Sequence, residues 1–212
     1  MTTFTPEARQ KLEHYLATHD LPKGVGTEES ACSLAAINLA MTGVLTDAIP
    51  DCMSPVLGMA IIRLQDAMPD EMRNSERYKQ WLPNAAGTGR DLEDERLAVL
   101  MDWMWGTVLP KLQPLADEKG FGSEWSEMCE KRTPAAADAA ADAAHASALA
   151  AAADAAASAV AYAAHASALA FHASASATAT ASATAAANPS LFWQEVDPIG
   201  VLERMTFLGE NQ

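Results

Sequence analysis

The sequence predicts an all-α chain: a compact multi-helix N-terminal domain, then a long alanine-rich helix or helices, then a short hydrophobic C-terminal helix. Three observations predict it. Residues 135–187 are a run of 53 with 33 alanines and no Gly, Pro, Lys, Arg or Glu, and alanine has the best intrinsic helix propensity. Before that run, Ser or Thr precedes Pro at Thr5-Pro6, Ser54-Pro55 and Thr133-Pro134, which suits a helix cap followed by the first helical position. Nowhere before residue 133 do β-branched residues alternate with polar ones as a strand requires. The expected divisions are 1–133 for the helical domain, 134–188 for the alanine tract and 189–212 for a hydrophobic tail that docks on its neighbours.

Thr5-Pro6-Glu7 opens the first helix, with Leu12, Tyr15 and Leu16 at helical spacing. The turn residues from Leu21 to Gly26 come next, and Thr27-Glu28-Glu29 is expected to cap a second helix ending at Gly43. Cys32, Leu34, Ala35, Ile37, Leu39 and Ala40 make that helix apolar on nearly all sides, which reads as the central buried helix. Ser54-Pro55 starts a third, built on Val56, Leu57, Ile61, Ile62 and Leu64 and stopped by Pro69. Short pieces over 70–74 and 75–82 precede a loop over 83–89, and a strong helix begins near Asp91. Pro110 and Pro114 kink or break the chain beyond that helix. Ser123-Glu124 is expected to cap the last helix of the domain.

The tract carries no turn residue from Ala135 onward, so it reads as helix from 135 to about 171. A continuous helix of this length would be about 80 Å long, against a radius of gyration of about 17 Å for a compact globule of this chain length. It therefore projects or packs against something. Small side chains let helix backbones approach closely, and self-association is the leading expectation. The residues expected to carry it are Leu149, Ala152, Ala156, Tyr162 and Leu169 in the tract, with Phe192 and Trp193 in the tail. The octet AAHASALA occurs at 143–150 and again at 163–170; two copies are too few for a solenoid. Residues 174–184 alternate Ala with Ser or Thr, a period-two signal between helical flanks.

Little in the chain points to chemistry. The segments Gly24-Val25-Gly26 and Gly87-Thr88-Gly89 lack the Lys-Ser/Thr of a phosphate loop and read as helix-entry turns. The acids Asp91, Glu93, Asp94 and Glu95 complement a helix start. His14 and His19 have no metal-pair partner, and His165 and His172 would need a second helix to complete a site. Met53, Met59, Met68, Met101 and Met104 with Trp103 and Trp105 read as core filler. No metal and no cofactor is expected, and no enzyme.

The formal net charge is −14. It divides as −8 over 1–133, −3 over the tract and −3 over the tail. Such a chain is repelled by nucleic-acid phosphates and anionic lipid heads, so direct nucleic-acid or membrane binding is not expected. A basic protein partner remains open. Cys32, Cys52 and Cys129 are odd in number and widely spaced, which suits reduced thiols in a cytoplasmic protein. The opening residues MTTFTPEARQ lack the basic start and apolar core of a secretion signal.

The stretch GTEESACSLAAINLAMTGVLTDAIPDCMSP, with IIRLQDAMPDEMRNS, AAGTGRD and MDWMWGTVLP, resembles an uncharacterised family of bacterial and phage-associated proteins that pair such a domain with an alanine-rich C-terminal extension. The resemblance implies a bacterial or phage origin and a cytoplasmic setting, and it implies no activity. In composition the tract also looks like the alanine-rich helices of fish antifreeze proteins, whose Thr residues recur every eleven positions; Thr178, Thr180 and Thr184 do not share that spacing. The expectation is a non-enzymatic self-assembly protein. The alternatives are an acidic phage-type inhibitor or adaptor for a basic protein surface, and an ice-binding protein.

Overall fold

A computed structural model describes residues 3–150 and 189–208. Every element among them is helical; the single β-type feature is an isolated bridge between Gly26 and Ala31. The described residues fall into two compact units. One lies within Met1–Val99 and Pro198–Gln212, the other within Leu100–Asp197. Composition changes at 134 and 189, whereas the two packing units divide at 100 and 198.

The first unit contains α1 (Pro6–Thr18), α2 (Ser33–Thr42), α3 (Pro55–Ala67), α4 (Asp70–Arg73), α5 (Glu76–Ala85), the first turns of α6 (Glu93–Trp103), and α11 (Pro198–Thr206). The Ser/Thr-Pro starts act as expected. Thr5 Oγ1 accepts from Ala8 N–H at 3.2 Å, and Ser54 Oγ accepts from Leu57 N–H at 3.1 Å. Helix α2 packs on α1 and α3, and its residues Leu34 to Ile37 are buried, as a central helix should be. Helix α11 packs on α3 and α5.

Two boundaries differ from expectation. Helix α2 begins six residues after Thr27, because Thr27 and Ser30 exchange backbone hydrogen bonds of 2.9 and 3.2 Å and close a turn instead. Gly26 permits that turn: its φ is +80°, and a Cβ there would run into the Ser30 carbonyl. Pro83 lies inside the last turn of α5 rather than in a loop. At that position a proline removes only one bond near the helix end.

The second unit contains the end of α6, a π-turn (Met104–Val108), a 3-10 turn (Leu109–Leu112), α7 (Gln113–Lys119), α8 (Gly122–Lys131), α9 (Pro134–Ala150) and α10 (Pro189–Val196). Pro110 explains the change of register. It has no N–H to offer the Gly106 carbonyl, and its ring would collide with that carbonyl in an α-helix. The Leu109 N–H instead reaches back five residues to the Met104 carbonyl. Gly120, at φ +83°, ends α7, and Phe121 N–H returns to the Ala116 carbonyl at 3.0 Å. That six-residue closure starts α8 at once, so Ser123 falls inside the helix and caps nothing.

Helix α9 is the described part of the alanine tract. Thr133 accepts from Ala136 N–H at 3.3 Å, the third use of the same cap. Ala136, Ala137, Ala140, Ala141 and Ala144 form one buried face, and the last four have no exposed surface at all. The helix packs on α7 and α8, while Ala135, Asp138, Ala139, Asp142 and Ala146 point outward. The expectation of helix over 135 to about 171 therefore holds to residue 150, and its remainder lies outside the described residues. No helix among them is long and apolar enough to cross a membrane.

Candidate functional site

Helix packing by alanine is the feature of this chain with the most direct route to a function. On α9 a methyl is all that separates the helix backbone from its neighbours, so the apposed surfaces come close and leave little room for adjustment. Every third and fourth residue of the buried face is alanine, and the two aspartates sit on the opposite side. The helix thus separates a contact face from a solvated face with side chains no larger than aspartate over residues 135–144.

Of the residues expected to carry association, Leu149 lies in the last turn of α9. Ala152, Ala156, Tyr162 and Leu169 lie outside the described residues, as do His165 and His172 and the second octet. Phe192 and Trp193 are in α10 and are buried, with rings 5.9 Å apart and edge to face. Beside them in sequence, the Val196 carbonyl accepts from Trp103 Nε1 at 2.6 Å. On the facing elements Lys111 pairs with Glu195 at 2.9 Å. The aromatic part of the tail is thus tied to the π-turn region of its own unit. Trp103, Met104 and Trp105 are core, as expected; Met59 is not, being exposed on α3.

The first unit holds the buried polar groups. Ser33 Oγ and the Tyr78 hydroxyl share a 2.9 Å hydrogen bond, and Ser33 N–H donates to Gln65 Oε1 at 2.5 Å. Gln65 passes on to the Pro22 carbonyl at 2.9 Å. Beside this chain a small cavity of about 20 Å³ is lined by Cys32, Gln65, Asp47, Asp66 and aliphatic side chains. Burial pushes the Cys32 thiol up and the Tyr78 hydroxyl up much further. Both stay protonated at neutral pH, so neither Ser33 nor Cys32 has a base or a thiolate with which to act as a nucleophile. The three cysteines are free thiols; Cys32 is buried and the other two half-buried. Among the described residues no group of three His, Cys, Asp or Glu side chains is placed to hold a metal ion.

These neutral groups predict alkaline sensitivity. Burial also pushes the Cys129 thiol up, from 9.0 to about 11, against the pull of the Arg132 cation. A group whose folded pKa is raised contributes stability that is complete below its unfolded value and is lost as pH rises through the folded one. Stability should fall from about pH 9 upward. Of the chain's three tyrosines, Tyr78 should ionise only as the helix signal collapses. Absorbance at 295 nm recorded alongside circular dichroism checks this, with Tyr78→Phe to identify the residue. Phenolate at Tyr78 appearing reversibly in folded protein near pH 10 contradicts it.

The acids near residue 91 have a structural task that their sequence position only half announces. Glu93 Oε2 accepts from Val56 N–H at 2.9 Å in the first turn of α3, and Oε1 accepts from Arg96 at 3.0 Å. Arg96 and Arg73 are both buried, each bonds several main-chain carbonyls of the first unit, and neither belongs to a local motif. Their partners are largely main-chain carbonyls, and two of these, on Leu21 and Met205, are distant in sequence, which residue identity does not reveal. No family model, curated protein or solved structure matches this chain.

Proposed function

We propose that this is a non-enzymatic, acidic self-assembly protein of the cytoplasm, in which the alanine-rich tract brings copies together by close helix packing. The observation that carries the reading is the alanine face of α9, where four methyl-bearing positions are packed to zero exposure against α7 and α8. Residues 151–187 continue the same composition, with Asp154 the only charged residue among them at neutral histidine. A long surface of small apolar side chains with so few charges is poorly suited to remain in water. Packing against the same surface of another copy buries it with the geometry that α9 already uses. The bacterial or phage setting implied by the sequence resemblance is compatible with this, as is the charge of −14, which disfavours nucleic acid as the partner.

The test leaves α9 and α10 in place, since both are part of the second unit. Residues 151–187 are replaced by a Gly/Ser linker of equal length, and both chains are sedimented over a range of concentrations. The full chain should form oligomers larger than any species of the replaced chain. A full chain that stays monomeric throughout, with a sedimentation coefficient the replacement does not alter in kind, refutes the proposal.

A further inference from the structure

The first unit is completed by a helix that the chain supplies only after the second unit. Helix α11 enters the unit only after the whole of residues 100–197. Its apolar residues Ile199, Val201, Leu202 and Met205 are buried where it packs on α3 and α5. Polar contacts fix its position on that groove. Arg77 donates to both oxygens of Glu203, at 2.9 and 2.6 Å, and Trp81 Nε1 donates to Thr206 Oγ1 at 3.1 Å. Arg96 Nε adds a 3.1 Å bond to the Met205 carbonyl. An amphipathic helix is thus held in a groove by aliphatic anchors and one forked ion pair, a recognition mode that works equally well between chains.

The connection to that helix is short and conformationally unfavourable. Asp197 alone separates α10 from α11, and its φ is +46°, a left-handed conformation that Asp adopts more readily than most side chains but still less readily than glycine. Pro198 comes directly after it and restricts it further. An amphipathic element with a specific groove, reached through a short hinge with a positive φ, has the features that favour exchange between copies. We infer that α11 is exchangeable: a second copy of this chain seats its own α11 in the α3–α5 groove, giving a swapped dimer with the same contacts. In that dimer Arg77 meets Glu203 of the partner subunit, and Asp197 is released from its left-handed conformation. This association uses a surface outside the alanine tract and stands whether or not the tract assembles copies.

Two full-length variants test it. Arg77→Glu places like charges at the pair in its own chain, and so does Glu203→Arg in the other. Only a swapped heterodimer restores opposite charges at both grooves. After the two are denatured, mixed in equal amounts and refolded together, the ratio of heterodimer to homodimers should exceed its statistical value by about tenfold, from two exposed pairs of roughly threefold each. A statistical mixture, or monomers only, overturns the inference. Should either variant fail to fold, Arg77→Cys and Glu203→Cys chains of different isotopic mass are refolded together and treated with a short bis-maleimide. A 77-to-203 link joining the two masses supports exchange, and links confined to native cysteines refute it. Association through the tract alone would give dimers without charge enrichment and without that link. The same link surviving when residues 151–187 are replaced would separate exchange from the tract reading.

Discussion

Replacing Arg96 with Met should destabilise the chain by about 3 kcal/mol, the lower part of the range for stripping one partner from a buried charged network. Arg96 is 2% exposed. Its guanidinium donates to the Thr88 carbonyl at 2.9 Å, the Gly89 carbonyl at 3.4 Å, the Met205 carbonyl at 3.1 Å and Glu93 at 3.0 Å. Methionine fills much of the volume but leaves those carbonyls without a donor, and each buried acceptor left unpaired costs about 1 kcal/mol or more. Glu93 is a quarter exposed, so water recovers part of its loss and the figure stays at the low end. The effect should spread to both ends of the network, since Glu93 also caps α3 and Met205 closes α11. Urea unfolding monitored by tryptophan fluorescence measures it. Arg96→Lys should recover less than half, because one ammonium cannot reach carbonyls that a planar fork reaches from different sides. Full stability in the Met variant would mean the network contributes no more than solvent would.

How much of this was legible in the sequence depends on how local each cause is. The Ser/Thr-Pro caps act through residues three positions apart, and all three appear where the sequence puts them. The helical class rests on the same local signals. Thr27-Glu28-Glu29 misled because a cap motif and a tight turn use the same residue types, and the choice was made by Gly26 and the bridge to Ala31. The proline at 110 was legible as a break, but its outcome, a π-turn running into a 3-10 turn, depends on how the surrounding core holds Trp105 and Val108. Arg73 could not be read at all. It sits among exposed-looking residues, yet its guanidinium is buried against the Leu21, Gln65 and Met68 carbonyls, one of them 52 positions away. The tail reads in sequence as one docking element, whereas α10 and α11 fall in different units.

For the alanine tract, the decisive question is whether an alanine serves as core or as interface, and Ala140→Leu separates the two for α9. Ala140 has no exposed surface on the face that meets α7 and α8. Three extra carbons have nowhere to go in a close-packed interior without moving a helix, so the substitution should cost about 2 kcal/mol. Ala139→Leu, one position along and pointing outward, changes helix propensity little and should stay within about 0.5 kcal/mol. Thermal unfolding compares the pair. The two variants should also differ in what they leave alone: Ala140→Leu lowers the midpoint without altering the oligomeric state, because its methyl is already occupied inside its own unit. If Ala140→Leu instead dissociated an assembly while leaving the midpoint of the resulting species unchanged, that methyl would have to face another copy. The packing of α9 on α7 and α8 would then be wrong. Equal, negligible effects at both positions would show that α9 is not closely packed, and the physical basis for extending its packing mode to residues 151–187 would go with it.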